Sequence, residues 1–288
     1  MKGIILAAGT GSRLHPSTKV VNKHFFPIYD KPAIFYSLSL FFMARIKEIL
    51  IICRPEDEQM FYELFGTGDE FGVNFTYAIQ EQPRGICDAF LLGEDFISNS
   101  SVLLVLGDNL FVGQGLSKQL ENAVNDLHGA KIFTHTVADP SRFGIAELDE
   151  SLRVISVEEK PEHPKSRNAI TGLYMFDNSV VEKAKFVTPS ERGELEITSL
   201  LNAYLIDGVL SAERLGRGAA WFDTGTPKSY VEASTFVQLL QTQQGLSIGH
   251  LHELAFGNGW IDTKAAMEIV NRMPKSSYAE YFSTLVNT

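Results

Sequence analysis

The chain has 288 residues, 44% of them hydrophobic, which is enough to bury a sizeable core as one large domain or as one domain with appendages. Its 25 Lys and Arg against 35 Asp and Glu give a formal net charge of −10, which argues against non-specific binding to a nucleic-acid backbone. No apolar run approaches the ~18 residues that span a bilayer, and no charged, apolar and small-residue leader opens the chain, so a cytoplasmic protein without a membrane partner is expected.

Residues 2–7 form a short apolar run without polar alternation, as in a strand buried on both faces of a parallel sheet. Gly9 and Gly11 cut it off, tolerate positive φ and let backbone N–H groups approach a ligand, which suits phosphate. Arg13, Lys19 and Lys23 then concentrate positive charge in an otherwise acidic chain, an arrangement suited to one small polyanion such as a nucleoside triphosphate. A helix over 33–44 and an isoleucine-rich strand over 48–53 complete a first βαβ unit. Helix 56–65, strand 73–79, helix 86–96 and strand 101–106 continue the alternation. It predicts an α/β, Rossmann-like fold: a mostly parallel central sheet, helices on both faces, and a ligand crevice at the carboxyl ends of the strands.

Beyond a helix at 116–127 and a strand at 131–137 the pattern turns strand-rich. Segments 146–148, 154–158 and 169–176 predict an antiparallel or mixed extension. Helices follow at 178–186 and 195–206, a late strand at 208–215 and a long helix at 228–244. Short helical patterns after Gly245 predict a small C-terminal helical appendage, which divides the chain into a core over 1–227 and a helical region over 228–288. Cys53 and Cys87 have no C-x-x-C or His spacing and read as two free thiols.

The glycine loop is neither a G-x-G-x-x-G fingerprint, since Leu14 stands at the third glycine position, nor a Walker loop, which needs Gly-Lys before Ser or Thr. Asp108 follows the strand 101–106, and Asp223 follows another apolar stretch in WFDTG. Either one alone reads as a turn or helix cap. Together they form a carboxylate pair suited to Mg²⁺, which keeps several waters and binds through one or two carboxylates plus substrate phosphates. Taken alone, Glu159-Lys160 is a solvated turn, Arg192 a helix-start residue ahead of Glu194 and Glu196, QEQPRG a polar surface turn and Gly144 a turn glycine.

LAAGTGSRL with Lys23 in NKHFFP, then PIYDKP, LGDN, EEKP, TGLY, GELEIT and WFDTG, occur in this order over essentially the whole chain. The series closely resembles the sugar-1-phosphate nucleotidylyltransferases. The resemblance implies a catalytic set of Arg13, Lys23, Asp108 and Asp223, the last two holding Mg²⁺. It places Ala8, Gly9, Gly11, Ser12, Arg13 and Asp108 on the nucleotide, with Gln80, Pro83 and Gly85 in the base-reading loop. On the sugar-phosphate side it places His24, Asn109, Gly144, Glu159, Lys160, Ile170, Thr171 and Arg192, so that the strand-rich extension becomes the sugar-binding part. The implied substrates are dTTP and glucose 1-phosphate, giving dTDP-glucose for dTDP-sugar synthesis. UTP or another sugar phosphate is the alternative, and an impaired dTDP-sugar-binding regulatory subunit is a further one. Relatives in this branch are homotetramers with a second, inhibitory dTDP-sugar site, and residues 228–288 carry aromatic surface suited to an interface. Where such relatives usually read LAGG, GTR, SKQ and EITD, this chain has Ala8, Ser12, Asn22-Lys23-His24 and Ser199.

Overall fold

Strand β1 (Lys2–Leu6) lies inside the sheet, and adjacent Ile4 and Ile5 are both fully buried because helices cover both of its faces. Two very short strands, β2 (Pro27–Ile28) and β3 (Lys31–Pro32), pair only with each other. Three more, β4 (Glu48–Cys53), β5 (Asn74–Ile79) and β6 (Val102–Leu106), run parallel with β1 in the order β6-β1-β4-β5. This is the half that the β/α alternation predicts, and it leaves all four carboxyl ends at one edge. The computed structural model that shows this describes all 288 residues.

At that edge the chain turns into β7 (Asn109–Val112), which leaves the sheet. The remainder of the nine-stranded sheet is β8 (Ala130–Thr136), β9 (Gly144–Leu148), β10 (Val154–Glu159), β11 (Asn168–Phe176) and β12 (Leu210–Arg214). A last strand, β13 (Ala220–Asp223), pairs antiparallel with β7 in a separate ribbon. Although the pattern groups residues 169–176 with the extension, β11 joins both parts. Its residues 173–176 lie antiparallel to β6, while Ala169 pairs with β9. Between these pairings β6 has ended and the register with β8 shifts after Ile170, so the sheet opens beside its carboxyl edge.

Alternation along the strands divides the core in two. Ile5, Ile49, Ile51, Leu103 and Val105 face one apolar cluster, while Ile4, Leu50, Ile52, Val102 and Leu104 face the other. Helix Ala33–Met43 covers the first face, and the C-terminal helices Leu251–Gly257, Thr263–Arg272 and Ser277–Val286 extend it with Leu251, Ala255, Ile269 and Phe282. Trp260 packs 5.3 Å from Phe42, and Phe236 lies 5.3 Å from Phe222. Much of the aromatic surface of residues 228–288 is therefore spent within the chain, although Leu239 stays 61% exposed.

The helix expected over 86–96 breaks at Gly93 into Asp88–Leu92 and Glu94–Ile97. Both cysteines are buried and free. No helix is long and apolar enough to cross a membrane.

Candidate active site

The loop after β1 runs through buried Ala7 and Ala8 and passes Gly9 to Gly11, whose φ of +62° is the left-handed conformation glycine adopts without strain. Thr18 lies where a Gly11 Cβ would go, 2.8 Å away, and its hydroxyl donates to the Gly11 carbonyl at 3.0 Å. Ser12 and Arg13 open the 3₁₀ turn Ser12–Leu14, and Lys23 opens another, Lys23–Phe25. The Lys23 Nζ lies beside Gly9 and is paired with Asp108.

The β7–β13 ribbon builds the centre. It sets Asp223 opposite Asn109, and the Thr224 N–H and hydroxyl both donate to the Asp108 carbonyl, at 3.0 and 2.8 Å. The two carboxylates are thereby held next to each other. Burial alone would push the Asp108 carboxyl up. The Lys23 charge, with hydrogen bonds from Lys23 and Asn109, outweighs it and holds the group well below its ordinary range. Asp223 moves the other way: burial and the charge of Asp108 raise it, against the weaker pull of Arg13 and Lys23. Arg13 Nη2 lies 3.8 Å from Asp223 and rests against Gly225, where a Cβ would collide with it.

Apart from Lys23, which stands behind Asp108, these charged groups line a cavity of about 470 Å³ in the sheet opening. Arg13, Asp108 and Asp223 lie on one side. Asn109, Gly144, Glu159, Lys160, Ile170, Gly172, Tyr174 and Trp221 form much of the rest. An adjoining recess of about 190 Å³ is lined by Gly9, Gln80, Pro83 and Gly85 and shares Ile86, Glu159, Lys160 and Ile197 with the first. The site thus has two lobes that meet at Glu159-Lys160. Lys160 has a φ of +41°, unusual for a side-chain-bearing residue, and its N–H donates to the Phe143 carbonyl at 3.1 Å.

Asn109 ties the lobe together. Its Oδ1 accepts the Gly172 N–H at 3.1 Å and the Trp221 indole N–H at 2.6 Å, while its Nδ2 donates to Asp108 at 2.9 Å. An acceptor filled by two donors leaves only the amide N–H₂ to face the carboxylate.

The model of the nucleotidyl transferase family matches residues 2–239. The chain belongs to this family. Among similar sequences, a glucose-1-phosphate thymidylyltransferase of Neisseria meningitidis is 49% identical, over 99% of each chain. One from Mycolicibacterium smegmatis is 45% identical, over 100% of this chain and 99% of its own. A solved UDP-glucose pyrophosphorylase with bound UDP-glucose superposes with a TM-score of 0.74 at 23% identity, covering 83% of this chain and 98% of its own, and shows the shared fold.

Within this nucleotidyl transferase, the structure brings together Gly9, Arg13, Lys23, Asp108, Asp223, Asn109, Gly144, Glu159, Lys160 and Ile170, together with Gln80, Pro83 and Gly85 in the second lobe. Of the other expected contacts, Ala8, Gly11 and Ser12 line neither lobe, and three more are turned to protein partners. Side chains on β11 alternate, so Ile170, Gly172 and Tyr174 line the cavity while Thr171 points away and donates to the Phe133 carbonyl at 2.9 Å. His24 is 1% exposed and lines neither lobe, because its turn directs the imidazole inward onto Asn22. Burial first, then the Lys23 charge, lower its pKa to about 3, so the ring is neutral. Arg192 also lines neither lobe. Its guanidinium is held by Glu196 at 2.7 Å, Glu159 at 3.2 Å and Glu194 at 3.9 Å.

Other placements are more structural than the motifs suggest. Gly85, at φ +105°, lies where a Cβ would come within 2.6 Å of the Leu195 backbone, and the Gln80 amide donates to Asp88 at 2.9 Å. Arg142, Tyr174, Thr198 and Trp221 are cavity residues that motif reading passed over. A usable signal existed for two of them: Trp221 stands two residues from Asp223, and Tyr174 four from Ile170, the spacings that share one face of a strand.

Proposed function

We propose that the chain catalyses nucleotidyl transfer from dTTP to α-D-glucose 1-phosphate, giving dTDP-glucose and pyrophosphate. One observation carries the reading most: the ribbon sets Asp108 and Asp223 side by side between Lys23 and Arg13, in a cavity whose adjoining lobe is lined by Gly9 of the glycine loop. The names of relatives 42–49% identical over nearly the full length support the choice of substrates.

A sugar-phosphate oxygen is already anionic at neutral pH, so no protein nucleophile is required and the chain has to align two anions and balance their charge. Backbone N–H groups around Gly9 and Gly11, with Arg13, would hold the triphosphate. Lys23, its ammonium beside Gly9, would balance charge between the reacting phosphates, while Lys160 would hold the attacking phosphate and Glu159 the sugar hydroxyls. Arg192 would join them only by exchanging carboxylate partners for phosphate. Asp108 and Asp223 fit a divalent cation of the Mg²⁺ type: they are two hard, adjacent carboxylates, one with its pKa raised by burial and by the other's charge, with no third protein ligand to close the shell. Such an ion would polarise the nucleotide α-phosphate. A homotetramer and a second, inhibitory dTDP-sugar site are part of this proposal, with Val231 and Leu239, both exposed on the helix Pro227–Gln244, as available surface.

The test is pyrophosphate release from dTTP and UTP, each with a panel of sugar 1-phosphates, with and without Mg²⁺. Turnover should be greatest for dTTP with glucose 1-phosphate and vanish with EDTA. Faster release with UTP or another sugar phosphate would reassign the substrates, and no release with any pair would overturn the reading.

A further inference from the structure

We propose that Asn22 and His24 act together as a positioning clamp for Lys23, anchored to the ends of three parallel strands. The proposal rests on the role given to Lys23 above. Lys23 stands between the two, and they are bonded to each other. His24 Nδ1 lies 2.6 Å from Asn22 Oδ1, which also accepts the His24 backbone N–H at 3.1 Å.

The surroundings fix which atom does what. Asn22 Nδ2 lies 2.6 Å from Asp57 Oδ2 and 3.3 Å from the Ala7 carbonyl, both acceptors, so it must be the amide's donor side. Oδ1 then faces His24, and the imidazole has to present Nδ1–H, the only ring state that donates there and stays neutral. All four hydrogen-bonding positions of the amide are filled, in a side chain 2% exposed. Asp57 is held in turn by Arg54 through two bonds of 2.6 and 3.1 Å.

The clamp touches three junctions at the carboxyl edge. Ala7 follows β1, Arg54 follows β4, and the His24 ring lies against Gly107 after β6, where a Cβ would come within 2.8 Å of its Cδ2. Lys23 leaves the same turn and pairs with Asp108, the residue after Gly107. Both departures from S-K-Q in Asn22-Lys23-His24 therefore fall on one hydrogen bond. A serine at 22 has one hydroxyl and cannot replace the four bonds of the amide. Asn22 and His24 are positioning residues: they act on the phosphates only through Lys23.

A double-mutant cycle tests this with Asn22→Ser, His24→Gln and the double variant, measuring kcat and KM for dTTP and glucose 1-phosphate. Each single change should lower kcat on the order of ten-fold, the size of losing one or two hydrogen bonds, with KM for dTTP nearly unchanged. The double variant should lose little more than Asn22→Ser alone, because both changes break the same hydrogen bond. Nitrogen-15 NMR of the imidazoles should show Nδ1–H at His24 in the wild type and Nε2–H in Asn22→Ser, a shift that general loosening of the fold would not produce. If Asn22→Ser does not fold, His24→Phe keeps a flat ring on Gly107 without the N–H and should lose kcat alike. Additive losses, equal changes in kcat and KM, or an unchanged tautomer would overturn the clamp. Lys23→Ala separates the two readings: retained turnover would remove the role of Lys23 itself, whereas an inactive Lys23→Ala with additive losses at 22 and 24 would remove the clamp alone.

Discussion

The two carboxylates of the site stand side by side, yet their surroundings differ. Asp108 pairs with Lys23, and both side chains are mostly buried, at 14% and 12% exposure. Asp223 has only Arg13, 3.8 Å away on a side chain that is 57% exposed. The first pair is made by loops that follow adjacent parallel strands, so its charges are matched before any substrate arrives. The second depends on a ribbon that leaves the sheet and on a cation at the surface. Burial raises both carboxyls, but the Lys23 charge overrides it at Asp108, whereas at Asp223 the charge of Asp108 adds to it and the pull of Arg13 and Lys23 is too weak to reverse it. One wall of the site is therefore pre-balanced, and the other is left to be balanced by what binds.

The sharpest test of this difference is to neutralise each acid in turn. Asp108→Asn strands the buried Lys23 without its counter-charge, and should abolish turnover while also costing roughly 2–4 kcal/mol of stability. Asp223→Asn should abolish turnover with the Tm nearly unchanged, because its partner is solvated. Equal losses of Tm would break the comparison. Next in size is Gly172→Ala, whose Cβ would stand 2.6 Å from Asn109 Cγ. It should cost about 1–3 kcal/mol through overpacking and raise KM for the sugar phosphate well above any change for dTTP. Trp221→Phe keeps the ring but deletes the N–H donated to Asn109. Its expected cost is about 1 kcal/mol, read as a roughly five-fold rise in KM for the sugar phosphate at unchanged KM for dTTP.

The smallest effect under mild conditions lies away from the site. His250 is 1% exposed and caps the helix Leu251–Gly257 by accepting the Glu253 N–H at 3.2 Å. Burial lowers its pKa from 6.5 to about 3. Between those values the unfolded chain binds a proton that the folded chain does not, so stability falls as pH falls below 6.5 and is independent of this group above it. The slope is on the order of 1 kcal/mol per pH unit. His250→Asn, which keeps a capping acceptor and does not titrate, should flatten the fall in Tm between pH 6.5 and 5. An unchanged slope would assign the acid sensitivity to other groups, buried His24 first.

What the sequence determined by itself is what neighbouring residues decide. Unbroken apolar runs over residues 3–6 and 49–53 belong to strands buried on both faces, and β/α alternation places their loops at one edge. Gly9, Gly11, Arg13 and Lys23 were legible for that reason, and Glu159-Lys160 and Asp223 were legible as members of ordered motifs. Only the tertiary structure decided which sides those residues present and whom they meet. Thr171 and His24 stand in the right segments with their side chains turned away, because a strand or a 3₁₀ turn sends adjacent residues in different directions. Arg192 meets Glu159 only once β10 and the segment before the helix Ile197–Ile206 are side by side. Asp108 and Asp223 become one site through the pairing of β7 with β13, a contact between short strands far apart in the chain. Periodicity encodes which face of an element is apolar. Which distant polar edge that element will pair with is settled only when the chain closes on itself.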